Sequence, residues 1–291
     1  MQIKRTKGDK IFDVINVLFF AFLSFLFLAP VLHVLFSSIS RPELVLKEEG
    51  LVLYPHGFSL TAYKMAFQNK SLPTGFLNSF IYSIGTCVLG LVLSLMGGYC
   101  CYKRTFGARK VLMKLLIFTM FFSGGMVPSY LLIHKLHLYD TMWAIILPSV
   151  LSVWNIIMIR TAFMELPAGL EESARIDGAN DFVILFRIFA PLCKALLAVL
   201  ALYYVVGMWN SWFSAMIYLQ DRDKFPLQLI LREILILNDS SSFLPTDLKT
   251  ELYKPLVRYA TIMISLVPIF CFYPFVQKYF EKGVMLGSMK G

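Results

Sequence analysis

The stretch that decides the fold is Glu165–Leu192, which reads ELPAGLEESARIDGANDFVILFRIFAPL and separates two long apolar runs. Its first half has the marks of a short helix. Pro167 stands at the first turn, and Glu171 with Glu172 follows where the helix dipole favours acids. Gly178 ends the helix, because glycine adopts the left-handed conformation at little cost. These signals predict a helix over residues 168–177.

The second half of the same stretch predicts a second helix. Asn180 or Asp181 can cap its start, and the chain then continues towards the next apolar run. Ala174 in the first helix is small enough for close packing. We therefore expect a helix, a glycine elbow and another helix across one face of a membrane, with an exposed side that suits a partner's groove.

The composition outside this stretch excludes a soluble enzyme. Of the 291 residues, 58% are hydrophobic and 15% are charged, and the mean hydropathy is +0.69. Ordinary globular domains carry about 25% charged residues. The net charge of +9 arises from basic residues that flank apolar runs. A nucleic-acid-binding surface is therefore not indicated.

Six apolar runs are long enough to cross a bilayer as helices, which need about 20 residues each. They are residues 14–36, 76–102, 111–133, 142–159, 195–219 and 259–280. Lipid offers nothing to pair with backbone groups, so each run must be helical. The sequence thus predicts an all-α membrane protein, a single transmembrane domain over residues 1–291.

Basic residues give the orientation of the spans. The connection 103–114 holds five of them and no acid, and the amino-terminal tail is also basic. Both sides should face the cytoplasm. This predicts a multi-pass protein of the plasma membrane with both termini cytoplasmic. The segment 165–190 is then cytoplasmic as well.

Neither a catalytic centre nor a metal site is indicated. The five cysteines lie in or beside apolar runs, and no pair shows zinc-ligand spacing. His134 and His137 could share a helix face, although a solvated turn is the simpler interpretation. Ionisable residues occur only at span ends. This disfavours an ion-coupled carrier and an intramembrane protease.

A resemblance to a known family is carried by the run from Glu172 to Pro191. Glu172-Ser-Ala, then Gly178, then Ile188 and Ala190-Pro191 resemble the E-A-A, G, I, L-P signature of permease subunits of bacterial ATP-binding-cassette (ABC) importers. FSGGMVPSYLLI at 122–133, WNSWF at 209–213 and the tail KGVMLGSMKG are similar to the oligosaccharide branch. Ser173 and Ala190 depart from the signature, and both are small.

The resemblance implies a type I importer fold of six transmembrane helices with a cytoplasmic coupling helix. It also implies four kinds of partner besides lipid: a second homologous permease, two cytoplasmic ATPase subunits, an extracytoplasmic solute-binding protein and an oligosaccharide substrate. ATP and magnesium would be held by the ATPase subunits, since this chain has no phosphate-binding loop. The ATPase-coupling residues would be Glu171, Glu172, Ala174, Asp177, Gly178 and Pro191.

A sugar pathway should combine aromatic faces with amide groups. In the fifth run these are Tyr203, Trp209, Asn210 and Trp212, with Trp209 and Trp212 three residues apart on one helix face. An interfacial aromatic belt or helix packing is the alternative. Further polar candidates in other runs are Asn78, Tyr82 and Asn155, which are as typical of hydrogen bonds between helices.

The competing functions are an importer permease for a non-sugar solute and a stand-alone secondary transporter. The latter predicts intramembrane acids or broken helices in inverted repeats. Neither is visible in the sequence.

Overall fold

The computed structural model describes residues 7–68, 70–167, 169–236 and 248–288, and most of these are helical. They fall into two compact units, Met1–Lys70 with Glu233–Leu266 and Ser71–Arg232 with Val267–Gly291. The helices, numbered along the chain, are α1 (Lys7–Ser38), α2 (Pro42–Val45), α3 (Thr61–Gln68), α4 (Ser71–Tyr102), α5 (Arg109–Phe121), α6 (Met126–Lys135), α7 (Trp143–Val150), α8 (Val153–Glu165), α9 (Gly169–Ile176), α10 (Asp181–Leu192), α11 (Lys194–Trp209), α12 (Phe213–Tyr218), α13 (Leu227–Ile236) and α14 (Leu248–Ser288).

Three helices of the described chain are long and apolar enough to cross a membrane, and three bent helix pairs bring the number to six if each pair is one span. The first two runs are helices, as the sequence predicts. The sixth run lies within α14, and its apolar part is Leu252–Cys271. The third, fourth and fifth runs are not continuous helices, so that part of the prediction is wrong.

The first unit ties a long loop back onto the end of α1. The Val52 amide donates to His33 Nδ1 at 3.0 Å, and Ser40 pairs with Phe58 in an isolated bridge. The His33 ring also meets Tyr259 of α14 edge to face, with centroids 5.5 Å apart. Most of α1 remains exposed along its apolar length. It therefore has the surface of a helix that faces lipid or another subunit.

The second unit is built around α4, which packs against α7, α8 and α11. Small residues let the neighbouring helices approach closely. A Cβ added at Gly90 would lie 2.6 Å from the Tyr204 ring, and one at Gly98 would lie 2.6 Å from Ile159 Cγ2. Gly90 and Gly98 are therefore constrained to have no side chain at these contacts.

The third run breaks between α5 and α6, whose axes differ by 116°. The break spans Phe122–Gly125, and Gly125 has φ of +87°. Only glycine takes that conformation readily. The sequence prediction failed here because the hydropathy summed over residues 111–133 stays high even though a short segment with two glycines interrupts the helix.

The fifth run ends early and bends at its start. Helix α11 stops at Trp209, with Asn210 as its C-cap, and Trp212 lies outside it. The predicted shared helix face of Trp209 and Trp212 is therefore wrong. At the other end, α10 meets α11 at an angle of 88°.

A cluster of hydrogen bonds centred on Asp140, here called the polar lock, joins the loop 136–142 to the loop 219–226. Asp140 accepts hydrogen bonds from the amides of Gln220 and Asp221 at 2.9 and 3.0 Å, and from Lys224 Nζ at 2.8 Å. Tyr82 of α4 donates to the Lys224 carbonyl at 2.7 Å. The same loop leads into α13, whose Leu227 and Ile230 are fully buried.

This lock predicts a dependence of stability on pH. The hydrogen bond from Lys224, followed by the backbone amides, lowers the pKa of Asp140 to about 2 from its usual value near 4. A depressed carboxyl pKa contributes stability above the unfolded value, and that stability is lost as the pH falls from about 4 towards 2. Asp140→Asn should lower the melting temperature at pH 7 and weaken its dependence on pH between about 4 and 2. Thermal unfolding in detergent measures both. Equal pH dependence in the two proteins would contradict the role of Asp140.

Candidate functional site

A polar cleft opens in the second unit where the fourth run is broken. Its volume is about 390 Å³. Helices α4, α7, α8 and α11 and the residues that join α7 to α8 surround it. The lining residues are Thr86, Ser149, Ser152, Trp154, Asn155, Tyr203, Tyr204, Gly207, Met208 and Ser211.

The break itself lies at Leu151 and Ser152, where α7 and α8 meet at 41°. Helix α7 ends two residues after Pro148, which has no N–H to donate and weakens the helix around it. Ser152 begins α8 as its N-cap, since its hydroxyl accepts from the Asn155 amide at 3.3 Å. The fourth run is thus two helices, and α8 extends to Glu165.

Tyr204 of α11 compensates for this break. Its hydroxyl donates to the Val150 carbonyl at 2.9 Å, and the Ser94 hydroxyl lies 2.9 Å from it. The Tyr204 ring passes close to the backbone of α4 at Gly90, where a Cβ would collide with it. Without such a donor, a carbonyl freed inside a membrane has no water to bind. Tyr204 therefore holds three helices together around the cleft.

The cleft combines neutral polar groups with aromatic faces. Asn155 is 4% exposed, and the Thr86 hydroxyl is buried without a hydrogen-bond partner among the described residues. Tyr203 and Trp154 are 55% and 56% exposed, so their rings are open to a ligand. Such a surface can bind hydroxyl groups and pack against C–H groups.

Two of the predicted pathway residues, Tyr203 and Asn155, come together in this cleft, while the other predicted residues do not line it. Trp209 is buried and meets the Phe76 ring edge to face at 5.5 Å. The Asn210 amide donates to the Val206 carbonyl at 2.9 Å, and Trp212 lies under Arg232. A pathway role for those residues stays a prediction.

The two polar residues predicted on the second run hold the loop that follows α12. Asn78 donates to the Asp223 carbonyl at 2.7 Å and to that of Phe225 at 3.1 Å. Tyr82 belongs to the lock around Lys224. In this structure both act as hydrogen-bond partners between elements, the alternative left open by the sequence.

Sequence reasoning missed Thr86, Ser152 and Trp154 as lining residues. Proline inside the fourth run, followed by a serine three residues before Asn155, was the available signal for a helix break with a cap. Thr86 offered no signal, because a lone threonine in an apolar helix is common. Its role follows only from its position in the lining of the cleft.

The segment after α8 forms the predicted elbow. Helix α9 covers Gly169–Ile176, and Gly178 has φ of +81°. The amides of Gly178 and Ala179 donate to the carbonyls of Arg175 and Ala174, which is a Schellman termination. The Asn180 side chain then caps α10 by accepting from the Val183 amide at 2.9 Å. The expected glycine termination is confirmed, and of the two candidate caps, Asn180 and Asp181, the structure uses Asn180.

Asp181 joins this elbow to the end of α4. It accepts hydrogen bonds from Lys103, from Tyr99 at 3.0 Å and from Arg175 at 2.7 Å. Arg175 also bonds to Glu171 at 2.8 Å within α9. The carboxylate of Glu171, then that of Asp181, raises the pKa of the Arg175 guanidinium. These ion pairs fix the orientation of α9.

Helix α9 buries one small residue and leaves its other face open. Ala174 is buried in a core that includes Phe163 and Phe189. Glu172 and Asp177 are exposed, and Ile176 is 82% exposed. Pro191 lies in the last turn of α10. The open face has both charge and apolar area, as a docking surface requires.

In the described ranges, no group of three or more His, Cys, Asp or Glu side chains is placed to hold a metal.

Comparison with known proteins identifies the family. No protein-family model matches the chain. Protein LplC of Bacillus subtilis is 39% identical over 98% of this chain and 97% of its own length. The polygalacturonan/rhamnogalacturonan transport system permease protein YtcP of the same organism is 36% identical over 97% of this chain and 99% of its own. A chain of a bacterial ABC transporter involved in import of the acidic polysaccharide alginate superposes with a TM-score of 0.85, at 29% identity, over 96% of this chain and 100% of that one.

The chain belongs to the carbohydrate-importer branch of ABC permeases. The resemblance carried by Glu172, Gly178 and Pro191 is thereby confirmed.

The contact between Tyr204 and α4 predicts which small residues of this permease are indispensable. Gly90→Ala should destabilise the protein, because the new methyl group would meet the Tyr204 ring at 2.6 Å. Tyr204→Phe leaves the buried Val150 carbonyl without its donor, which costs about 1–3 kcal/mol. Gly207→Ala is the matched control, since its Cβ would meet no atom within 4 Å. Thermal unfolding in detergent ranks the three. A Gly90→Ala protein as stable as Gly207→Ala would refute the packing account.

Proposed function

We propose that this permease forms half of the translocation pathway for an oligosaccharide that an extracytoplasmic binding protein delivers. The polar cleft at the broken fourth span carries the proposal. It offers hydroxyl and amide groups beside two open aromatic rings, the combination that a sugar needs. The other half of the pathway would come from a second permease.

The names of related proteins support a glycan as the cargo. YtcP is named for polygalacturonan and rhamnogalacturonan transport. A second solved structure, of an alginate ABC transporter with an alginate pentasaccharide-bound periplasmic protein, shares the fold at a TM-score of 0.53 and 14% identity. That assembly contains a periplasmic protein that is bound to an alginate pentasaccharide. We infer delivery by a protein of this kind for this chain.

The proposed topology has six spans, counting each bent helix pair as one, with both termini in the cytoplasm. The basic, acid-free connection 103–114 and the elbow at α9 then lie on the cytoplasmic side. The lock around Asp140 lies on the opposite side. This places the energy-coupling surface and the substrate entrance at opposite ends of α4.

We propose that α9 is the coupling helix and docks on one ATPase subunit. The exposed Glu172 and Ile176 of α9 and the adjacent Asp177 supply charge and apolar contact, while Ala174 and the Asp181 ion pairs fix the helix to the permease. ATP and magnesium would bind to the ATPase subunits. The permease itself would perform no bond chemistry.

Charge reversal in α9 tests the coupling role. Glu172→Lys should lower ATP-driven uptake about tenfold or more, because it reverses the charge on the docking face without touching the buried core. Gly178→Val should be more severe, since a β-branched residue is strained at φ of +81°. Gly107→Val is the control, because a Cβ there meets no atom within 4 Å. Uptake and stimulated ATP hydrolysis by the reconstituted importer are measured together. Wild-type coupling in Glu172→Lys would disprove the assignment.

Substitutions in the cleft test the pathway. Asn155→Leu and Tyr203→Ala should each lower oligosaccharide uptake about three- to tenfold, through loss of one hydrogen bond or of one stacking face. Both variants should still insert and co-purify with their partners. Trp143→Ala is the control, because Trp143 is 41% exposed and does not line the cleft. If the control lost as much uptake as the two cleft variants, the cleft would not be the pathway.

A further inference from the structure

The groups that line the cleft share one property beyond their polarity: every one is uncharged. Ten residues form the lining, and they are hydroxyl, amide, aromatic, thioether and glycine residues. Thr86 presents a buried hydroxyl with no partner among the described residues. The Ser152 hydroxyl accepts from one backbone amide and keeps its own proton available for donation. These groups have capacity left for neutral hydrogen bonds.

No Lys or Arg is among the described residues that line the cleft, and the basic side chains towards the two ends of α4 are paired. At one end of α4, Lys224 is paired with Asp140; at the other, Lys103 and Arg175 are paired with Asp181. Arg160 Nε donates to the Cys101 carbonyl at 3.3 Å. Arg232 stacks its guanidinium on Trp212, 4.6 Å from the ring centroid, and is not a lining residue.

A uronic-acid chain carries a carboxylate on every sugar, and this cleft is poorly suited to it. Removing a carboxylate from water is costly unless a cation or several strong donors replace the water. For this purpose the lining supplies hydroxyls, one carboxamide and the indole N–H of Trp154, all of them uncharged. A neutral glycan needs only donors and acceptors of that kind, together with the open faces of Trp154 and Tyr203.

We infer, building on the proposed function, that the substrate of this permease is a neutral oligosaccharide whose hydroxyl groups bond to Thr86, Ser152 and Asn155. The cargo would then differ in charge from the alginate and polygalacturonan named for its relatives. The same overall fold would serve both chemistries, and the lining of the cleft would set the difference.

The test uses the complete importer, with its partner permease, ATPase and binding protein, in liposomes. The probes are two mixtures of short glycans at equal concentration: neutral oligosaccharides from arabinan, xylan and β-glucan, and uronic-acid oligosaccharides from polygalacturonate and alginate. Mass spectrometry of the liposome contents identifies what accumulates with ATP. We expect neutral glycans to accumulate at least about tenfold over uronic acids. Preferential accumulation of uronic acids would overturn the inference and leave the proposed function standing. Accumulation of neither would overturn both.

A pair of variants tests whether the named groups contact the cargo. Thr86→Val removes the hydroxyl at nearly constant shape and should lower neutral-glycan uptake about three- to tenfold, whereas Thr86→Ser should restore most of it. Arg232→Gln removes the cation of α13 that stacks on Trp212 and should leave the neutral-to-acidic ratio unchanged. If the wild type imports acidic glycans and Arg232→Gln imports fewer of them, Arg232 is an acid-binding group and the inference is overturned. Equal uptake in wild type, Thr86→Val and Thr86→Ser would likewise overturn it.

Discussion

The structure of the second unit depends on one hydrogen bond, from the Tyr204 hydroxyl to the Val150 carbonyl. A span that breaks in the middle of a membrane frees backbone groups that neither water nor lipid can bind. Here one side chain from a neighbouring helix supplies the missing donor, and Ser94 adds a second contact at the same oxygen of Tyr204. The break can therefore persist and leave room for a cleft. Gly90 is the corresponding constraint on α4, because any side chain there would displace the tyrosine ring.

The parts of the fold that could be predicted from the sequence are those specified by a few neighbouring residues or by one long, unbroken apolar run. The end of α9 at Gly178 and the cap of α10 follow from local conformational preferences, and the sequence predicted the first and narrowed the second to Asn180 or Asp181. Helix α4 was predicted because its apolar run is long and unbroken. The breaks at Phe122–Gly125 and at Leu151 were not, because a hydropathy sum over 18 or more residues does not respond to one turn. Local signals within those runs, two glycines in one and a proline in the other, were present but are common in spans.

Some of the residues that line the cleft could be predicted from the sequence and others could not, because the lining depends on how the helices pack. Residue type alone suggested Tyr203 and Asn155, since aromatic rings and amides are what a sugar requires. Residue type also suggested Trp209 and Asn78, which the structure uses for packing and for holding a loop. The distinction depends on which side of each helix faces the break in the fourth span, and that is a property of the packed structure. Thr86 could not be predicted for the same reason. A threonine in an apolar helix is common, and its role follows from its position in the lining of the cleft.

The distribution of charge along α4 connects these observations. Helix α4 itself contains no charged residue, and the ion pairs beside it lie towards its two ends. Lys224 pairs with Asp140 where Tyr82 bonds to the Lys224 carbonyl, and Lys103, which follows α4, pairs with Asp181. Between them α4 is one continuous helix that presents Thr86, Gly90 and Ser94 to the cleft and its supporting tyrosine. A force applied to α9 would reach α4 through the Asp181 ion pairs, and a displacement of α4 would strain the Tyr204 contact. The ion-paired residues at the elbow and the hydrogen bonds around Tyr204 are thus connected through α4, and the proposed coupling role of α9 requires such a connection.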